Sequence, residues 1–319
     1  MPRRPGSPRC VPIAVDDLPD VLLARDHPDD DARRRLRDGE WRRLRPGAYV
    51  VADTLPTDPF ELGTQLALAH AVAVSRQHRP GVLSHTTAAL MWGLPLPGDP
   101  GPTHVIRPTT VSGSHADDVV RHLVRLAPDE VTTVAGMPVT TLARTAVDCA
   151  ATLPAGHGLV VVDAARRSGV TAEALQRALA GRPGTRGIRR ARAVVEHADD
   201  GAESPGESST RAALIGLGLP RPETQVLVRT AAGDMWADLG WRGWRLLVEY
   251  DGRSKYEDGG VDALLKEKRR QDLVESAGWR VLRVTAADLR DRRLLVRRLR
   301  AVLPADVAAT LRPVGPFAR

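Results

Sequence analysis

Three carboxylates crowd a short stretch of predicted sheet in the C-terminal third of this 319-residue chain. Glu249 and Asp251 stand two apart in WRLLVEYD, a run that reads as a strand, so they share a face. MWADLGW, just before it, reads as a partner strand, with Arg242-Gly243 as a tight turn between them. A two-residue loop there places Trp241 opposite Trp244 and Asp238 opposite Leu247. Asp238 then lies diagonal to Glu249 on the same face, near enough for the side chains to converge. Like charges packed on an apolar strand raise one another's pKa and cost stability. A divalent cation removes that cost, and Mg²⁺ (or Mn²⁺) suits hard carboxylate oxygens while keeping waters for chemistry. With Asp238, Glu249 and Asp251 as metal ligands, such a centre would lower the pKa of a bound water and stabilise a phosphodiester in flight. Glu207, at the start of the preceding helix, adds an acid from the side.

The elements that must hold these acids follow from caps, turns and periodicity. SSTRAALIGLG reads as a helix capped by Ser208 or Ser209 and stopped by Gly218 and Pro220. QVLVRT, MWADLGW and WRLLVEYD are three strands, residues 260–277 an amphipathic helix, and WRVLRVT a fourth strand. AADLRDRRLLVRRLRAVL reads as one closing helix. The order is αβββαβ over residues 207–302, after a linker at 198–206 and before a tail at 303–319. Each feature also has a plainer account: Lys266, Lys268, Arg269 and Arg270 as a solvated helix face, Asp251-Gly252 as a turn, Asp238 as a turn acid. Their coincidence on one sheet face, in this order, argues for the acidic centre. Trp236, Trp241 and Trp244 read as packing residues.

VEYDGRSKY, then EKRRQD, then GWRVLRVTAADL, resemble the very-short-patch-repair-like endonuclease domain of the PD-(D/E)xK class. The resemblance covers about 100 residues. It implies a restriction-endonuclease-like fold, with Asp238 and Glu249 as the acids of the motif and Glu207, in GESSTR, as the helical acid. The class signature places lysine two residues after the glutamate, and here that position is Asp251. Lys255, or Lys268 with Arg270 on the following helix, are the candidates to orient the attacking water or stabilise the transition state. The predicted catalytic set is therefore Glu207, Asp238, Glu249, Asp251, Lys255 and Lys268.

The front of the chain reads differently. Residues 29–38 form a helix opened by Asp29 to Asp31, and Trp41–Leu44 and Tyr49–Val51 form a hairpin around Pro46-Gly47. A helix running into a hairpin is the back half of a winged helix, and residues 1–55 are assigned to it. Arg33, Arg34, Arg35, Arg37, Arg42, Arg43 and Arg45 crowd this unit and could meet the phosphates of duplex DNA. Residues 56–197 are Ala-rich, mixed α/β and mostly helical. Together with LSHTTAALMWGL and PVTTLARTAVDCA, the helix-hairpin resembles the antitoxins of abortive-infection type IV toxin–antitoxin systems. That resemblance implies binding to an operator-like duplex and a cognate toxin as partner. His85, His104, His115 and His122 show no ligand spacing, so no metal is assigned to them.

The fold class expected is thus α/β (α+β) and multidomain. The net charge of +7, mainly arginine, and a pI near 10.2 favour a polyanionic partner. Cys10 and Cys149 are too far apart in sequence to suggest a disulfide framework or a zinc site, which fits a reducing cytoplasm. No apolar run is long enough to span a bilayer, and the basic N-terminus is no secretory signal. The leading expectation is a DNA-binding protein with a Mg²⁺-dependent endonuclease domain. The alternative is a non-catalytic DNA-binding regulator or antitoxin that retains a nuclease fold.

Overall fold

The computed structural model of the protein describes residues 10–27, 29–77, 81–108, 117–252 and 260–318. Twelve α-helices and three sheets are found among them, making a multidomain α/β chain as the sequence predicts.

The front unit comprises β1 (Leu22–Leu23), α1 (Asp29–Arg37), β2 (Trp41–Arg45) and β3 (Ala48–Val51). Its antiparallel sheet has the order β1-β3-β2, so the predicted hairpin gains a third short strand. Gly47 makes the turn at φ 72°, a conformation that favours glycine. Trp41, Tyr49 and Ala32 pack together between helix and hairpin.

The middle unit comprises α2 (Pro59–Gln77), β4 (Val82–Leu83), α3 (His85–Met91), β5 (Thr103–Arg107), β6 (Val119–Leu123), β7 (Val131–Val134), β8 (Met137–Thr140), α4 (Leu142–Thr152), α5 (Ala155–Arg167), α6 (Ala172–Ala180) and α7 (Ile188–Glu196). Its strands run in the order β6-β5-β4-β8-β7. Every residue from Gly158 to Ala165 of α5 is buried, which marks a central helix. One apolar core runs from Val21 and Val50 in the front unit to Val195, and takes in Ala212, Ile215 and Phe317 from much later in the chain.

The last unit comprises α8 (Pro205–Gly216), β9 (Glu223–Thr230), β10 (Gly233–Trp241), β11 (Leu246–Asp251), α9 (Gly260–Ser276), β12 (Arg280–Thr285), α10 (Ala286–Arg290), α11 (Arg292–Val302) and α12 (Ala305–Thr310). The predicted αβββαβ order is present. The sheet runs β12-β11-β10-β9, with β11 and β12 parallel and the other pairs antiparallel. Leu214, Leu217, Leu246, Val248, Leu295 and Leu299 fill one side of it. Val226, Val228, Leu247, Val274 and Trp279 fill the other.

Four details differ from the sequence expectation. Helix α8 begins at Pro205, capped by Ser204 rather than Ser208 or Ser209. The reason is the Ser204 cap: Ser204 Oγ accepts from the Glu207 amide, and the Glu207 carboxylate reaches back to accept from the Glu203 amide and the Ser204 hydroxyl. The closing helix is two helices, because the Asp291 carboxylate accepts from the amides of Arg293 and Leu294 and restarts the chain as α11. The stretch read as a linker is pinned: the Asp199 amide donates to Asp163, the Asp199 carboxylate takes Thr224 and Arg221, and Arg167 donates to the Ala202 carbonyl. The stretch read as a tail folds back, burying Phe317 against α8, while Arg292 donates to the carbonyls of Gly216 and Ala318.

Candidate functional site

The register of β10 and β11 sets the positions of the acids. Trp241 pairs with Leu246, Gly240 with Leu247 and Leu239 with Val248. The connection is therefore four residues, Arg242 to Arg245, with Arg245 in a left-handed conformation at φ 49°. Trp241 does not pair with Trp244, although their rings lie 5.0 Å apart. Asp238 is the next residue along from Leu239, in line with Glu249 rather than Leu247. At that point the Asp238 carboxylate accepts from the Tyr250 amide at 2.9 Å, standing in for a ladder bond. Asp251 closes β11, opposite Thr285 of β12.

Glu207 reaches the same place from α8. It is buried, and that burial together with the nearby charge of Asp238 pushes its carboxyl up to about 7. Gly206 allows this approach: a Cβ there would sit 2.0 Å from the Tyr250 ring. Glu249 is differently engaged. Arg270 of α9 grips it with two bonds, Nη2 to Oε1 at 2.6 Å and Nη1 to Oε2 at 3.1 Å, and also donates to the Trp236 carbonyl. This is the strong, fork-to-fork form of ion pair.

The structure thus brings Glu207 up to Asp238 and lines Asp238 up with Glu249, but it does not present three open carboxylates. Glu249 has both oxygens on Arg270, and Glu207 has both on its own helix cap. Among the described residues, the three-ligand grouping whose donor atoms lie mutually within reach of one ion is made by histidines, not by these acids. The acidic set as it stands does not fit Mg²⁺. Of the cations weighed for catalysis, Lys268 is exposed on α9, and Lys255 lies outside the described residues. Arg270, on the same helix, touches Glu249.

The basic front face is narrower than its arginine count. Arg33, Arg37, Arg42 and Arg43 are exposed. Arg34 and Arg35 both bond Asp31, and Arg35 also lies over the Trp41 ring at 5.3 Å. Arg45 is a correction: it is buried and ion-paired with Asp118 at 3.0 Å. A register shift between Arg43 and Arg45 turns its side chain inward, where strand alternation alone would keep it beside Arg43.

Sequence reasoning missed two constellations. Arg211 of α8, fully buried, bonds both oxygens of Asp163 on α5 at 2.7 Å and the His197 carbonyl at 2.6 Å. Its only signal was a charge set against an apolar run in each helix, Asp163 after LVVV and Arg211 before AALIG. The second is the histidines: His85, His104 and His122, read as scattered, lie together, while His115 falls outside the described residues.

The comparisons agree with part of this picture. Residues 79–197, which hold both motifs LSHTTAALMWGL and PVTTLARTAVDCA, match the family model of the AbiEi antitoxin C-terminal domain. Two proteins of Mycobacterium tuberculosis, from strains CDC 1551 / Oshkosh and ATCC 25618 / H37Rv, are each 35% identical over 159 residues, 49% of this chain. Both are described as uncharacterized, and the match spans 58% of the length of each. No solved structure matches the chain. No helix among the described residues is long and apolar enough to cross a membrane.

Proposed function

We propose that this chain is an antitoxin-type DNA-binding regulator, with an operator-like duplex and a cognate toxin as partners, and that its last unit is a nuclease-like fold without catalytic duty. The observation that carries this reading is the antitoxin-domain match at residues 79–197. The helix-hairpin in front of it, with Arg33, Arg37, Arg42 and Arg43 exposed, supports the DNA-binding part. The Arg270–Glu249 pair supports the non-catalytic part, since it occupies the acid that a nuclease would give to metal.

Fluorescence anisotropy with a duplex from upstream of the chain's own gene, against a scrambled duplex, tests the reading. Four arginine–phosphate contacts give a slope of about −3.6 in log K against log salt. Charge reversal at Arg33, Arg37, Arg42 and Arg43 should abolish retention. Absence of binding by the native chain at low salt sinks the proposal.

A second reading, the Mg²⁺-dependent endonuclease, is favoured by the mutual repulsion of Glu207 and Asp238, which a cation would relieve. Its test is nicking of supercoiled plasmid with Mg²⁺ or Mn²⁺, run beside a double Asp238→Ala, Glu249→Ala variant. Cleavage by the native chain alone would move the conclusion to this reading.

A further inference from the structure

Three imidazoles stack in the middle unit. His85 opens α3 directly after β4, His104 lies in β5 and His122 in β6, so a helix start and two adjoining strands supply them. Ring centroids are 3.8 Å apart for His85 and His122, 5.1 Å for His104 and His122, and 5.2 Å for His85 and His104. One ring nitrogen from each falls within 4.8 Å of the others. His104 Nδ1 and His122 Nε2 are already 2.9 Å apart, sharing a proton.

The surroundings hold these rings in place and keep them neutral. His85 is buried, with Nδ1 on the Ser84 hydroxyl at 2.9 Å, which leaves Nε2 to face its neighbours. Its backbone sits at φ 52°, a region that a residue with a Cβ rarely occupies and that recurs where a side chain is held for a purpose. The His104 amide donates to Thr87 Oγ1 and its carbonyl accepts from the Ser84 amide, which fixes β5 to the start of α3. Burial holds all three imidazoles below the usual histidine range, with the neighbouring rings adding to it at His85 and His104 and Arg182 and Arg144 adding to it at His122. Arg144 and Arg182 lie within electrostatic reach, but Arg144 is ion-paired with Glu130 and Asp148, and Arg182 with Asp148.

We propose that His85, His104 and His122 bind one Zn²⁺ ion through their ring nitrogens, with the fourth position open on the half-exposed side of His104 and His122. Imidazole nitrogens suit Zn²⁺, and three of them with an open position is a recurrent zinc arrangement. Ligand nitrogens about 2.0–2.1 Å from a tetrahedral ion stand about 3.3 Å from each other. The His104–His122 contact must therefore lengthen by only a few tenths of an ångström, losing its shared proton as the metal enters. The other nitrogen pairs, which lie within 4.8 Å, close to the same separation as the ion enters.

The test uses the full, tag-free chain after chelator treatment. Titration with Co²⁺ should give the visible bands of a four-coordinate N-ligated ion, saturating at one equivalent, and Zn²⁺ should displace them. His122→Gln, at a half-exposed position, should weaken Co²⁺ binding by at least about tenfold while circular dichroism stays native. His104→Gln should do the same. Absence of the bands in the native chain overturns the proposal without recourse to any variant. So does equal binding by native chain and folded His122→Gln, which would place the ion elsewhere.

Discussion

Replacing Glu207 by Gln tests whether the two acids at the mouth of β10 are charged against each other in the folded protein. The Glu207 carboxyl is raised from 4.5 to about 7, first by burial and then by Asp238. A raised carboxyl pKa means that the unfolded chain ionises first as pH climbs. Stability contributed by the protonated group is present below 4.5, falls through the window up to about 7, and stays lost above it. At about 1.4 kcal/mol per pKa unit, the full cost is about 3 kcal/mol, of which about 2–3 kcal/mol develops between about pH 5 and 8. The assay is urea unfolding followed by tryptophan fluorescence at both pH values, for the native chain and Glu207→Gln. Gln can still accept from the Glu203 amide, and any change in that cap is the same at both pH values. The difference between the two proteins' pH dependences therefore isolates the ionisation. Native protein should lose about 2–3 kcal/mol more than the variant on going from about pH 5 to 8. Parallel pH dependences would show that Glu207 ionises normally and that the acids do not sense each other.

Three further outcomes follow from the same structure. Arg211→Met leaves the Asp163 carboxylate buried and unpaired, and should cost about 3–5 kcal/mol, read by urea unfolding; the double Arg211→Met, Asp163→Leu variant should recover most of that. Gly206→Ala drives a methyl into the Tyr250 ring and should cost about 1–3 kcal/mol, seen as a lowered denaturation midpoint. Arg45→Gln should leave DNA binding unchanged in anisotropy, since its side chain is turned toward Asp118, while Arg43→Gln should weaken it.

The αβββαβ unit was legible because its signals are local: the short apolar run LLV in WRLLVEYD, a turn at Arg242-Gly243, a glycine stop after α9. The register was not, because Arg245 adopts a left-handed conformation without being a glycine, and nothing in its type announces the longer loop. Arg270 was weighed both as part of a solvated helix face and, beside Lys268, as a catalytic cation, and it is the residue that holds Glu249. A charge run on a helix has no sequence feature that names its one inward member. Arg45 was misplaced by a bulge, which shifts alternation by one and leaves the composition untouched. The histidines sit in a helix start and two strands that become neighbours only through the sheet order β6-β5-β4, so no spacing along the chain could have joined them. The start of α8 was readable in Ser204-Pro205, a capping hydroxyl followed by proline at the first helical position.

Helix α8 belongs to two cores at once: Ala212 and Ile215 pack with the middle unit, and Leu214 and Leu217 with the sheet of the last unit. A chain that stopped at residue 197 would uncover the first of these cores and strand Asp163 without its guanidinium. Such sharing acts as a ratchet in descent. Once the front unit relies on α8, deleting the rear unit becomes a folding defect of the front one. Whatever the rear unit does, the front unit's need for α8 is then enough to keep it in place.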